Sequence, residues 1–67
     1  MKNQVRKYRK RQGLSGEKLS RLAEMSASDL SKLERGQVFP HPGWRARIAD
    51  ALAVEEKTLF PEVHNDA

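Results

Sequence analysis

Ala27, Ser28, Ser31, Lys32 and Arg35 stand at spacings that a helix gathers onto one face, opposite Leu30 and Leu33. All five are small or basic. Small residues let a helix approach another surface closely, and the two serines bring hydroxyls that donate or accept. Lys32 is long enough to reach guanine O6 or N7, and Ala27 has the size to sit on a thymine methyl. Asp29 has two open readings. It suits the start of a helix, where the dipole favours an acid, and it can also accept from a cytosine amino group. This is the chemistry of reading base edges, not of making bonds. No nucleophile–base pair, carboxylate dyad or metal-ligating cluster can be assembled from these residues, so neither an enzyme nor a cofactor is expected.

The face needs a helix held in a fixed orientation, and residues 15 to 36 supply one. Ser26 is a plausible N-cap, with Asp29 three residues on in the S-x-x-D pattern of a capping box. Gly36 follows the helix at the position where the backbone turns left-handed. The predicted helix therefore covers residues 27 to 35. A second helix over residues 17 to 23 precedes it, with Leu19, Leu22 and Ala23 apolar and Ser15 as its cap. So short a connection forces a wide crossing angle, which is the helix-turn-helix geometry that presents its second helix to a major groove.

With Leu14, Ser15, Leu19, Ser26, Leu30, Ser31, Leu33, Glu34, Arg35 and Gly36 in this register, the chain resembles the phage-repressor and Cro-type helix-turn-helix family, also called the xenobiotic-response-element (XRE) family. Arg9 and Gly13 extend the likeness upstream; Pro40, the Ile48-Ala49-Asp50-Ala51-Leu52 run and Leu59-Phe60-Pro61-Glu62 extend it downstream, so it spans roughly residues 5 to 62. The resemblance implies an all-α, lambda-repressor-like bundle of four to five short helices and double-stranded DNA as partner. Base reading then falls to Ala27, Ser28, Asp29, Ser31 and Lys32. Phosphate contacts fall to Ser15, Gly16, Lys18, Ser26 and Arg35, and to Gln37, His41, Trp44 and Arg45 in or beside the loop that the family lays against the sugar-phosphate backbone. Pseudo-palindromic sites in the family imply a homodimer.

This chain departs from the family pattern in several places. Gly16 stands where a phosphate-touching Gln is common, which leaves only backbone N–H groups for that contact. Glu24 replaces a Gly in the turn and costs about 1 kcal/mol if the left-handed conformation is kept, so the turn is expected to adjust. Leu22 occupies a normally exposed position and is expected to widen the core. Arg45 replaces an apolar residue. Trp44 has a core reading, at i, i+4, i+8 with Ile48 and Leu52, beside its phosphate reading.

The first helix is predicted over residues 2 to 12, with Val5, Tyr8 and Gln12 on its inward stripe. Arg9 falls on that stripe too, and Glu34 sits on the inward side of the reading helix. Either charge is costly to bury alone, so the two are expected to pair, as the resemblance also implies; two independent snorkelling side chains are the alternative. Pro42 suits the first turn of a fourth helix, and residues 55 to 60 a fifth. The ordered part is expected over residues 2 to 61 of a single domain, with residues 62 to 67 as a frayed tail.

Sixty-seven residues and no cysteine exclude a disulfide framework, and two isolated histidines, His41 and His64, offer no metal staple. No apolar run spans a membrane and no signal peptide is visible, so a cytoplasmic, nucleoid-associated location is expected. Residues 1 to 48 carry twelve Lys and Arg against four acids, a balance of +8, and residues 49 to 67 one Lys against five acids, −4. The basic part calls for a polyanion. The leading reading is a sequence-specific DNA-binding transcriptional regulator or repressor. The runner-up is a protein-interaction module on the same fold, such as an antitoxin or small adaptor, supported by Leu22, Gly16 and the acidic end.

Overall fold

Nine apolar side chains drawn from every part of the chain meet in one core: Val5, Leu19, Ala23, Leu30, Leu33, Ile48, Leu52, Leu59 and Phe60, none more than 1% exposed. Full burial of a Leu or Phe side chain is worth about 1.5–3 kcal/mol, and this cluster is what fixes the helices relative to one another. The computed structural model describes residues 2–63. They form five helices, α1 (Val5–Arg11), α2 (Gly16–Leu22), α3 (Ala27–Glu34), α4 (Pro42–Leu52) and α5 (Glu56–Leu59), with no strand among them. α2 packs on α3 and α4, while α4 also receives α1 and α5. The buried Ser20, 3% exposed, allows the close approach of α2, its hydroxyl donating to Glu17 O at 2.7 Å.

Four helices end in the same way. The residue after the end turns left-handed at Gly13 (φ 70°), Glu24 (φ 56°), Gly36 (φ 75°) and Ala53 (φ 55°). In each case the next N–H reaches back to close the last turn: Leu14 to Arg9 O, Met25 to Ser20 O, Gln37 to Lys32 O and Val54 to Ala49 O, at 2.9–3.1 Å. These paired bonds satisfy carbonyls that a helix end leaves open. The turn at Glu24 thus keeps the left-handed conformation, contrary to the expected adjustment. The two returning bonds, Glu24 N–H to Arg21 O and Met25 N–H to Ser20 O, and the packing of Met25 against the core outweigh a strain of about 1 kcal/mol.

Side chains distant in sequence close three of these ends further. Asn3 Nδ2 donates to Leu33 O (2.8 Å), Gln12 Nε2 to Leu52 O (2.7 Å) and Arg47 Nε to Ala23 O (2.7 Å). Asn3 also accepts from the Val5 N–H, and the Gln4 N–H donates to Leu59 O. Those commitments keep residues 2 to 4 out of the helix, so α1 is shorter than the predicted span. Leu22 is 49% exposed and does not widen the core. Residues 61 to 63 form a turn in which Val63 packs against the core and Glu62 accepts from the Lys2 N–H at 3.2 Å. Glu62 and Val63, expected as the start of a frayed tail over residues 62 to 67, are thus held in place; the rest of that stretch, with His64, lies outside the described residues.

Candidate nucleic-acid interface

α3 begins where the sequence places it. Ser26 is extended (φ −73°, ψ 153°) and its Oγ accepts from the Asp29 N–H at 3.0 Å. Leu30 and Leu33 point into the core, which turns Ala27, Ser28 and Lys32 fully outward and leaves Asp29 and Ser31 half-buried. The outward face therefore holds a methyl group, a hydroxyl and a long amine, with no bulky side chain to hold a base edge away. Arg35 is the exposed C-cap of the helix, one residue beyond its last turn.

The start of α2 presents a second set of donors. Ser15 Oγ accepts from the Lys18 N–H at 3.0 Å, and Ser15 and Lys18 are exposed. A capping hydroxyl that accepts in this way still has its own proton to give. Gly16 is the first residue of α2, and a Cβ built on it meets nothing within 4 Å. Ser26 supplies the equivalent hydroxyl at the start of α3.

Arg9 and Glu34 hold this arrangement from behind. Arg9 Nε donates to Glu34 Oε2 at 2.7 Å and Nη2 to Oε1 at 3.1 Å, with the side chains 13% and 9% exposed. The third donor, Nη1, takes Leu14 O at 2.8 Å. The hydrogen bond to Glu34 is the main cause that raises the Arg9 pKa above its already high ordinary value; desolvation opposes it and the charge of Glu34 adds to it. The guanidinium thus stays charged in the fold.

The loop after α3 is sorted differently from the expectation. Gln37 and His41 are exposed, and Gln37 Oε1 accepts from Arg35 Nη2 at 3.4 Å. Trp44 combines its two readings: it is half-buried, packs against the core, and lays its ring on that of His41 with centroids 4.1 Å apart. Arg45 is withdrawn from the phosphate-facing set. Its Nε donates to Glu56 Oε1 at 2.6 Å and its Nη1 to Pro40 O at 2.7 Å, and the side chain is only 13% exposed. The position points inward, as the family's apolar residue does, and Glu56 supplies the counter-charge that makes an Arg tolerable there.

Sequence reasoning missed two features here. Arg47, given no role from the sequence, ties α4 to the end of α2 through Ala23 O. Phe39 is 60% exposed in the loop beside α3. Phe39 lies in a loop, outside any helical stripe; Arg47, three residues after Trp44 and next to Ile48, falls on the edge of the inward stripe of α4, and that position was the signal that could have found it.

A capped, exposed helix set across a second one by a short left-handed turn defines a DNA-binding helix-turn-helix domain. A family model described as a helix-turn-helix domain matches residues 3–60, and the chain belongs to that family, of the XRE and Cro-like type. No curated protein matches the chain. No helix among the described residues is long and apolar enough to cross a membrane.

Proposed function

We propose that the chain is a sequence-specific double-stranded DNA-binding protein that regulates transcription by occupying its site, as a repressor does. The observation that carries this reading is the outward face of α3, where Ala27, Ser28 and Lys32 are exposed directly opposite Leu30 and Leu33. Bases are read from that face. Ser15, the N–H of Gly16, Lys18, Ser26, Arg35, Gln37 and His41 hold the flanking phosphates, and the indole N–H of Trp44 joins them. Phosphate contacts fix register and supply affinity, while the groove contacts choose the sequence. Residues 1 to 67 act as a single domain, two copies bind a pseudo-palindromic site, and the protein works at the nucleoid. The test is selection of bound fragments from random duplex DNA, followed by titration over a range of salt. A recovered consensus and a steep salt dependence are expected; retention without either overturns the reading.

A second reading rests on Leu22, which α2 holds 49% exposed at its end. A protein-interaction module would use that side chain as a contact and bind DNA weakly. Retention of the chain by a protein partner alone, with no retention on duplex DNA, selects it.

A further inference from the structure

α1 carries a charged face that the base-reading site leaves unused. No acid precedes Glu17 in the chain. Arg6, Lys7, Lys10 and Arg11 are all exposed, while Val5 is buried and Arg9 turns in to Glu34. At about 100° per residue the four cations fill an arc of about 140° centred opposite Val5. None of them has a carboxylate partner among the described residues, where the ion pairs use Arg9, Arg21 and Arg45. Tyr8 steadies two of them, with Lys7 Nζ 5.9 Å and the Arg11 guanidinium 5.3 Å from its ring centroid.

Such a face costs the helix stability. Arg6 and Lys10, and Lys7 and Arg11, are like charges at i, i+4, an arrangement that destabilises. The first turn of α1 has no acid to meet the dipole. A polyanion removes the repulsion, and what the face lacks says which one. A protein interface has an apolar centre, whereas every exposed residue of α1 is basic. A phosphate backbone is held by charge alone.

Position separates this face from the base-reading one. Arg9 and Glu34 join the inner sides of α1 and α3, and Val5, Leu30 and Leu33 share one core. The outer faces of the two helices therefore look apart. DNA is stiff over about 150 base pairs, so a duplex seated on α3 does not fold round a body whose Cα atoms span 34 × 21 × 18 Å. We propose that Arg6, Lys7, Lys10 and Arg11 bind the phosphates of a second duplex segment while α3 reads the first, so that one molecule bridges two stretches of DNA. The proposal rests on the DNA-binding reading and goes beyond it by adding a second surface that makes no base contact.

The experiment tethers a duplex carrying the selected site and measures capture of a labelled duplex of unrelated sequence by the intact chain over a salt series. The variant is Arg6→Gln/Lys7→Gln/Lys10→Gln/Arg11→Gln, since Gln keeps helix propensity and removes the like-charge pairs. Unfolding curves verify its fold; should it unfold, Lys7→Gln/Arg11→Gln alone repeats the comparison. Charges beyond a Debye length from the first duplex are screened, so the variant should bind the tethered site within about twofold of wild type. Its capture of the second duplex should fall at least about tenfold, and the salt slope of capture should flatten by up to about 3.6, four phosphates at about 0.9 each. Undiminished capture by the variant, or site binding by wild type with no capture, overturns the second segment and leaves the DNA-binding reading intact. Equal losses of site binding and capture also overturn it, because α1 then holds the same duplex as α3. A matching loss of self-association, read by sedimentation, overturns it too, because α1 then joins two copies. Retention of wild type on phosphatidylserine vesicles without capture of duplex gives the face to a membrane instead. If wild type fails to bind the tethered site, it is the DNA-binding reading itself that fails.

Discussion

Arg9 in α1 and Glu34 at the last position of α3 face each other through two parallel bonds of 2.7 and 3.1 Å, so the rear of the exposed helix is fastened to the first helix of the chain. With side chains 13% and 9% exposed, neither partner has enough water to stand alone. Arg9→Met or Glu34→Met should each destabilise by about 3 kcal/mol, because each strands a desolvated charge. The double replacement should recover much of that loss. Urea unfolding of the four species forms the cycle, and additive losses would refute the coupling.

Glu24 and Ala53 hold left-handed backbone at φ 56° and 55° where glycine is unstrained. Glu24→Gly and Ala53→Gly should each raise stability by up to about 1 kcal/mol, net of the added freedom of the unfolded chain. Shifts of the urea midpoint with an unchanged slope check this. A loss in either variant would mean that side-chain contacts outweigh the strain.

Gly16 sits at the first position of α2 with open space where a side chain would begin. Gly16→Gln should fold as well as the parent and bind duplex DNA about fivefold more tightly through one added hydrogen bond to phosphate. Glutamine is uncharged, so the salt slope should not move. Unaltered affinity would show that the start of α2 stands off the backbone.

Lys32 and Arg35 separate reading from holding. If Lys32 meets a guanine, Lys32→Ala should lose about 1–3 kcal/mol on the selected site and relax one base pair. Arg35→Ala should weaken every sequence alike and flatten the salt slope by about 0.9 per phosphate lost. Ala27→Glu should be worse than either, placing a charge where a base edge approaches. Unchanged preference in both Lys32→Ala and Ala27→Glu would remove α3 from the reading role.

Arg45 should behave as a structural residue. Arg45→Met removes the bonds that Arg45 gives to Pro40 O and Glu56 and should destabilise by about 2 kcal/mol. Its salt slope on DNA, measured where the variant is folded, should equal that of wild type. A flattened slope would return Arg45 to the phosphate-facing set.

The exposed helix was legible because its causes are local. Ser26, Leu30, Leu33 and Gly36 set where α3 starts, which face it buries and where it stops, and helical geometry then determines the position of Ala27 and Lys32. The Arg9–Glu34 pair was legible for a related reason: two opposite charges each fell on an inward stripe, and burial leaves such charges one economical solution. The same signals carried the all-helical fold and the family.

Tertiary packing decided the rest, because its partners lie far apart in sequence. Arg45 turns inward only because Glu56 and Pro40 O are there to receive it. Residues 2 to 4 leave the helix because Leu33 O and Leu59 O take their donors. Leu22 stays half in water at the end of α2, on an open groove that it shares with Arg47, Asp50 and Ala51 of α4, and Glu24 accepts a strained backbone because Met25 packs against the core. The sequence by itself determined which residues of α3 face in and which face out, since that phase is set by Ser26, Leu30, Leu33 and Gly36 within the helix and its caps. Which polar groups meet, and which apolar side chains remain uncovered, depended on how five short helices filled one small core.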